Sequence, residues 1–448
     1  MPVNTSQNLP LLFPAHLAAL MERTSRALQG AGYGSLLLHA GSPSWYFADD
    51  HGPPFKAIAP FQAWLPLADA PEALLFFEPG RKPVLLFPLS DDYWHKTAPL
   101  PQDYWAGSFD IRPVRSRDEA RAALPANLAA TAFIGQAFAE LGSWGVAAVN
   151  PAPLTLRMDF DRARKSEYEL ECLREANRIG ARGHRAAELA FRAGRSEFEI
   201  ELAFLAACRQ REQELPYNPI IALNEGGSTL HYQVLERAPP PQHRSLLIDA
   251  GASFAGFGSD ITRTHAGSDA DFAALIAALD RLQLQLCAEL APGADWRDVH
   301  VRAYRLIAAL LADADIVRTS AEHCADSGLA GVFFPHGLGH LLGLQVHDVG
   351  GLLAGPDGTE IPRPAGHPFL RLTRRLEPGF VVTVEPGVYF IDALLRRARD
   401  TELGRYVNWT RVAALKPFGG VRIEDDVAVT ASGSENLTRP AFAALSAS

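Results

Sequence analysis

Between His336 and Asp348 the chain reads HGLGHLLGLQVHD, with three histidines and three glycines before a closing aspartate. Neutral imidazole is the commonest metal ligand among side chains and titrates nearest to physiological pH. His336 and His340 are four residues apart. On a helix they would share a face, as in HExxH zinc sites. Here the intervening residues are Gly-Leu-Gly, with no glutamate, and two glycines disfavour a helix. In an extended chain four residues span about 13 Å, so the two imidazoles cannot hold one ion. One is expected to be a ligand, and the others to contact substrate or orient the ligands. His231, in STLHYQVLE, is a further candidate.

Four carboxylates share this part of the chain. Asp249 ends the apolar run SLLID and Asp260 begins DITRT, with the Gly-rich AGASFAGFGS between them. That connection suits a hairpin. A turn centred on Phe254 and Ala255 would set the two acids directly opposite, with Cβ atoms about 4.5–5.5 Å apart. Carboxylates that close raise each other's pKa unless a cation sits between them. Glu385 lies in VVTVEPG and Glu424 in GGVRIEDDVAV. An acid in an apolar strand is costly to bury unless it is paired or coordinated. A single such acid reads as an ion pair or a hydrogen-bonded core group. Four of them beside a histidine cluster point to metal. Oxygen donors with one imidazole suit Mn²⁺, with Zn²⁺ and Co²⁺ as alternatives. Bridging carboxylates favour two ions about 3.5–4 Å apart.

Elements must bring these residues together. YGSLLLHAG, EALLFFEPG and KPVLLFPL read as buried strands bounded by Gly and Pro. Around them SPSWYFADD and PFKAIAPFQAWL carry aromatics that read as core or interface packing. An α/β N-terminal domain is expected over 1–160. The stretch Arg162–Lys165 is polar and unpatterned. Ser166 with Glu169, and Ser196 with Glu199, match capping boxes that open amphipathic helices. Two more helices are expected in DFAALIAALDRLQLQLCAEL and ADWRDVHVRAYRLIAALLADA. YNPIIALNE, RSLLIDAG, SDITRTH, FVVTVEPGVYF and GGVRIEDDVAVT read as strands and turns. Helices and antiparallel strands in separate runs make 161–448 an α+β domain.

Composition narrows the class. The chain has 448 residues, too many for one ordinary core. A formal charge of -9 repels phosphate backbones, so no nucleic-acid partner is expected. No uncharged apolar run approaches the roughly 20 residues that span a bilayer, and the N-terminus shows no secretory pattern. Cys172, Cys208, Cys287 and Cys324 are scattered without disulfide-framework or CxxC spacing. A cytoplasmic enzyme without a membrane partner is expected.

HGLGHLLGLQVHD is similar to the proline-peptidase signature. The set Asp249, Asp260, His340, Glu385 and Glu424 resembles the five-ligand pattern of the pita-bread (creatinase/aminopeptidase) metallopeptidases. Within them the chain resembles the bacterial Xaa-Pro dipeptidases, or prolidases. The stretches that carry this are LHYQVLERAPPPQHRSLLIDAGA, DITRTH, HPFLRLTRRLEPGFVVTVEPGVYFID, VNWTRVAALKPFGGVRIEDD and ENLTR, over most of 217–437. The N-terminal third resembles the family's non-catalytic creatinase-like domain more loosely.

The resemblance implies roles. His340 becomes the metal histidine, and Asp249, Asp260, Glu385 and Glu424 the carboxylate ligands, with Asp260 and Glu424 bridging. His231 and His347 would hydrogen-bond the dipeptide around its scissile carbonyl and C-terminal carboxylate, and Arg371 would bind that carboxylate. Arg422 would stabilise the site beside Glu424. His336 would support the ligands or contact substrate. The implied reaction is hydrolysis of Xaa-Pro dipeptides by a hydroxide shared between two divalent ions. Glu385 would take and return the proton, and one ion with His347 would stabilise the oxyanion. A homodimer is implied, with the aromatic loop at Trp45–Phe47 as its expected contact. The rival readings are an Xaa-Pro aminopeptidase acting on longer peptides and a catalytically inactive pita-bread binding protein. Side activity on organophosphorus esters is a further possibility.

Overall fold

The computed structural model describes residues 8–89, 93–94, 96 and 98–446. Two compact units divide the chain. One is built from residues within Met1–Arg162, with Ser166–Glu171 and Ala354–Thr359. The other is built from residues within Ala163–Lys165, Cys172–Leu353 and Glu360–Ser448.

The first unit holds a mixed sheet of six strands: β1 Ser35–His39, β2 Leu74–Phe77, β3 Val84–Pro88, β4 Asp110–Val114, β5 Thr131–Ile134 and β6 Ala148–Val149. Their order is β4-β3-β2-β1-β5-β6, with antiparallel pairing only at β1–β2 and β2–β3. The runs LLLH, LLFF and LLF are the expected buried strands. They are continuous rather than alternating because both faces of the sheet are covered. Two helices, Leu9–Ala31 and Ala152–Arg162, lie outside the elements expected from sequence. The first buries Phe13, Leu17, Leu20, Ala27 and Leu28 at helical spacing. Of the aromatic segments, Phe61 and Trp64 are core residues, while Trp45, Tyr46 and Phe47 are exposed.

The second unit is α+β, as its separate helix and strand runs imply. Its strands are β7 Ile220–Leu223, β8 Ser245–Asp249, β9 Ser253–Phe254, β10 Phe257–Gly258, β11 Thr262–Ala266, β12 Val381–Val384, β13 Gly387–Tyr389, β14 Gly420–Arg422, β15 Asp425–Val429 and β16 Ser434–Asn436. They form antiparallel groups β11-β8-β7, β12-β15-β16, β13-β14 and β9-β10. Single bridges Thr262↔Glu424 and Leu341↔Val382 link the groups and the histidine loop. The helices Ala270–Glu289 and Trp296–Asp313 are capped by Asp269 and Asp295. They bury Phe272, Leu279, Leu286, Trp296 and Ile307 with Val382, Val384 and Val427 in one core. The Ser196–Glu199 capping box opens the helix Glu197–Cys208, and Ser166 with Glu169 opens Glu167–Arg192. All four cysteines are buried and free.

The register of the Asp249 hairpin corrects the expected one. Asp249 pairs with Thr262, not with Asp260. The turn is centred one residue later, on Ala255 and Gly256, both at positive φ (52° and 90°). Two central residues at positive φ make a type I′ turn, whose twist matches a hairpin, and glycine takes that conformation without strain. Asp260 is therefore diagonal to Asp249.

Candidate active site

The four acids sit at strand ends rather than inside strands. Asp249 closes β8, Asp260 precedes β11, Glu385 follows β12, and Glu424 joins β14 to β15. Side chains alternate across a strand with period two, so the two-residue change of register keeps Asp249 and Asp260 on one face. The Tyr217 hydroxyl touches both, 2.7 Å from Asp249 Oδ1 and 2.6 Å from Asp260 Oδ1. The phenol has one proton, shared between the two carboxylate oxygens, and so ties the two acids together. Sequence reasoning passed over Tyr217. Its signal was its place just ahead of β7, which pairs with the Asp249 strand.

The histidine loop is neither helix nor strand. His340 is buried, and its backbone N–H donates to Thr383 Oγ1 while its carbonyl accepts from the Thr383 N–H. A Cβ on the preceding Gly339 would collide with the Thr383 carbonyl, which is why glycine stands there. The His340 Nδ1 donates to the Leu341 carbonyl at 3.0 Å. That bond leaves Nε2 facing Asp260 Oδ2 and Glu385 Oε1, each at 3.5 Å. This is the tautomer a metal-binding histidine needs. One donor atom from each of Asp260, His340 and Glu424 lies within 4.8 Å of the others, so these three could hold an ion. Asp249 and Glu385 face the same space, and all five line one cavity of about 660 Å³.

His336 is committed elsewhere. Its Nδ1 donates to the Gly337 carbonyl at 2.8 Å, and its Nε2 accepts from the Tyr389 hydroxyl at 2.8 Å. That hydroxyl in turn accepts Arg422 Nη1 at 2.9 Å. Both imidazole nitrogens are then occupied, and His336 lines the cavity with its Nδ1 3.6 Å from Glu385 Oε2. Arg422 also reaches Asp249 Oδ2 at 2.7 Å and Thr262 Oγ1 at 3.1 Å. Thr262 donates to Glu424 Oε2 at 2.5 Å. Tyr389 and Thr262 were not legible as site residues, because only strand pairing brings them here. His231, His347 and Arg371 line the same cavity, and the His347 ring meets His340 edge-on at 4.5 Å.

Electrostatics explain why the cluster suits a cation. Burial first, and then Asp260 and the other acids, raise Glu424 well above the carboxylate range. Burial and Asp260 raise Asp249 against the pull of Arg422. Burial lifts Glu385 to about 7, with His340 opposing and Asp260 adding to the rise. Burial opposes charge on His340, yet Asp260 and Glu385 raise its pKa to about 9. With all four acids ionised, one imidazolium and one guanidinium would leave negative charge uncompensated away from water, which is why the acids are raised in the absence of a metal. Divalent ions would neutralise it, and the oxygen-rich donor set fits hard or borderline ions.

Comparison with known proteins follows the same line. The profile of metallopeptidase family M24 matches residues 171–431, and that of the Xaa-Pro dipeptidase N-terminal domain matches 11–160. The chain is 46% identical over 434 residues to an Xaa-Pro dipeptidase of Stenotrophomonas maltophilia, covering 97% of this chain and 98% of the relative. It is 46% identical over 441 residues to one of Xanthomonas oryzae pv. oryzae, covering 98% and 100%. Among solved structures, Pseudomonas aeruginosa aminopeptidase PepP superposes with a TM-score of 0.72 at 23% identity, covering 96% of this chain and 99% of that one. Zinc-substituted Escherichia coli aminopeptidase P in complex with product also gives 0.72, at 24% identity and 95% coverage of each. These two likenesses bear on the fold alone.

Proposed function

The chain belongs to metallopeptidase family M24 and is a hydrolase, and from that premise we propose that it cleaves Xaa-Pro dipeptides into a free amino acid and proline. The observation that carries this is that Asp249, Asp260, His340, Glu385, Glu424 and Arg371 line one cavity. The five would hold the divalent ions. Such ions supply Lewis acidity and lower the pKa of a coordinated water toward neutrality. Manganese is the ion this reading favours, with zinc or cobalt as alternatives.

The chain's own groups do the rest. Glu385, on the cavity wall 3.5 Å from His340 Nε2, would take the proton of the attacking water and return it to the leaving proline nitrogen. His347 and His231 hydrogen-bond the dipeptide around the scissile carbonyl. Arg422 fixes Asp249 and, through Thr262, Glu424. Proline's nitrogen carries no N–H once it is acylated, so a site for it cannot rely on that donor. Arg371 instead reads the C-terminal carboxylate and restricts length. The division of labour is a non-catalytic domain over 1–160 and a catalytic one over 161–448.

The reading extends to a homodimer in the cytoplasm; four buried free thiols are in keeping with a reducing compartment. No helix among the described residues is long and apolar enough to cross a membrane. Attack on organophosphorus esters is a side activity the same site could support. The test compares Ala-Pro with Ala-Pro-Ala on metal-loaded protein. Faster cleavage of the Ala–Pro bond, read as Ala plus Pro from Ala-Pro and as Ala plus Pro-Ala from Ala-Pro-Ala, is expected for the dipeptide, and preference for the tripeptide would replace this reading with an aminopeptidase.

A further inference from the structure

A histidine outside the ligand set ties together two segments that line the cavity. His300, on the helix Trp296–Asp313, is only 1% exposed. Its Nδ1 accepts the Leu338 backbone N–H at 3.3 Å, and its Nε2 lies 2.8 Å from Nδ1 of His367. An accepting Nδ1 leaves the proton of a neutral imidazole on Nε2, so His300 donates to His367. Burial keeps it neutral, with its pKa pushed down to about 3. The two rings meet edge-on at 4.5 Å, and Tyr304 meets His367 edge-on at 5.0 Å.

Each bond leads to a different part of the site. Leu338 lies between His336 and His340, and its carbonyl accepts the Glu385 N–H at 2.9 Å. His367 opens the segment HPFLR, from which Pro368, Phe369 and Arg371 line the cavity. That segment lies directly on the histidine loop. A Cβ on Gly337 would come 3.1 Å from Leu370 Cα and from the Phe369 carbonyl oxygen. His340 itself is held separately, by its two backbone bonds with Thr383.

We propose that His300 is a positioning residue that holds the segment His367–Arg371 against the histidine loop and so sets affinity at the Arg371 end of the cavity. Its effect on affinity rests on the reading of the cavity as a dipeptide site; the tie itself does not. One half of the tie, to His367, governs substrate binding. The other half, to Leu338, governs how Glu385 is presented.

Two variants separate the halves. His300→Asn puts Oδ1 where the imidazole Nδ1 sits, so it keeps the acceptor for Leu338 but cannot reach His367. His300→Gln puts an amide donor where Nε2 sits, so it keeps the bond to His367 and loses the acceptor. His367→Ala removes the first half from the other side. For Ala-Pro, His300→Asn and His367→Ala are expected to raise KM about three- to ten-fold, the worth of one hydrogen bond, with kcat nearly unchanged. His300→Gln is expected to lower kcat with KM nearly unchanged. Metal content per chain should stay constant in His300→Asn. Hydrogen–deuterium exchange should accelerate over residues 366–372 in His300→Asn and His367→Ala, but not in His300→Gln. Wild-type KM and wild-type exchange in His300→Asn would overturn the proposal. So would KM, kcat and thermal midpoint declining together in all three variants, which marks a role in folding alone. If the wild type leaves Ala-Pro intact, the dipeptidase reading fails, and the exchange comparison still decides whether the tie exists.

Discussion

Lys165 Nζ lies 2.9 Å from Asp348 Oδ2, and both side chains are shut away from water, at 1% and 2% exposure. Asp348 follows His347, and its backbone N–H donates to the Leu341 carbonyl. Lys165 is itself anchored by its N–H to the Gly379 carbonyl. The pair therefore pins the turn that carries His347. Removing the lysine takes a cation away from a buried carboxylate whose other oxygen still accepts the Val349 N–H, a loss that costs up to about 3–5 kcal/mol. Lys165→Met should lower the unfolding free energy by that amount in denaturant titration. Lys165→Met with Asp348→Leu should recover most of it, since an apolar pair of similar volume is often as stable as the buried ions. Equal stability of the single and double variants would refute the account.

Glu385 combines three properties: a contact to His340 Nε2, a place on the cavity wall, and a pKa lifted to about 7. Loss of a general base lowers rates by roughly 10²–10⁴. Glu385→Ala should cut kcat for Ala-Pro at least that far and reduce bound metal per chain, both measured on protein reconstituted with excess Mn²⁺. Turnover at the wild-type rate would remove Glu385 from the mechanism.

Metal binding should release protons. Without a metal, His340 holds a proton up to about pH 9, because Asp260 and Glu385 outweigh the burial that opposes its charge. That proton sits on Nε2, the nitrogen that must bind the ion. At pH 7 one proton should leave His340 on loading and the raised Glu424 should add to the count, so one or more protons are expected per chain, and apparent metal affinity should climb as pH rises toward 9. Calorimetry in buffers of different ionisation enthalpy counts the protons directly. A count of zero at pH 7 would exclude His340 as a ligand.

Much of the site was legible because its chemistry is costly wherever it occurs. Buried acids at the ends of apolar runs announce themselves, and a shift of two residues in the hairpin left Asp249 and Asp260 on the same face. What the sequence concealed is pairwise. Glycine-rich AGASFAGFGS offers more than one hairpin centre, and only the type I′ geometry at Ala255 and Gly256 selects between them. Tyr389 reaches Arg422 because β13 pairs with β14, and it reaches His336 because its N–H donates to the Phe333 carbonyl just ahead of the histidine loop; no spacing within any of these stretches encodes that. The helix Leu9–Ala31 carries its buried stripe at helical spacing, but Pro10 and Pro14 within the same stretch obscure that pattern in the sequence.

Trp45 and Phe47 stand in water at 66% and 102% exposure, a costly arrangement for aromatic rings in a solitary unit. On the proposed homodimer these rings are covered by the partner. Trp45→Ala should weaken the dimer in analytical ultracentrifugation or raise KM for Ala-Pro. No change in either would place the interface elsewhere.

Acid should destabilise the metal-free protein through histidines that are buried neutral. His184 Nε2 donates to the Ala250 carbonyl at 2.9 Å, while its Nδ1 is buried with no partner. Protonation would place a charge in a fully buried site beside Arg263 and His265, against which the Ala250 and Ile261 carbonyls offer only partial relief. Burial accordingly pushes the pKa down to about 3, against about 6.5 in the unfolded chain. Between those values the unfolded state binds more protons, so the stability this group contributes is present above pH 6.5 and is lost as pH falls toward 3. The slope approaches about 1.4 kcal/mol per pH unit for each such group. His184→Gln can keep the donor to Ala250 and cannot titrate. In chelator-treated protein, denaturant stability measured from pH 7 to pH 4 should fall less steeply in His184→Gln than in the wild type, by about one proton's worth of slope. Parallel curves would show that His184 is already charged in the folded protein.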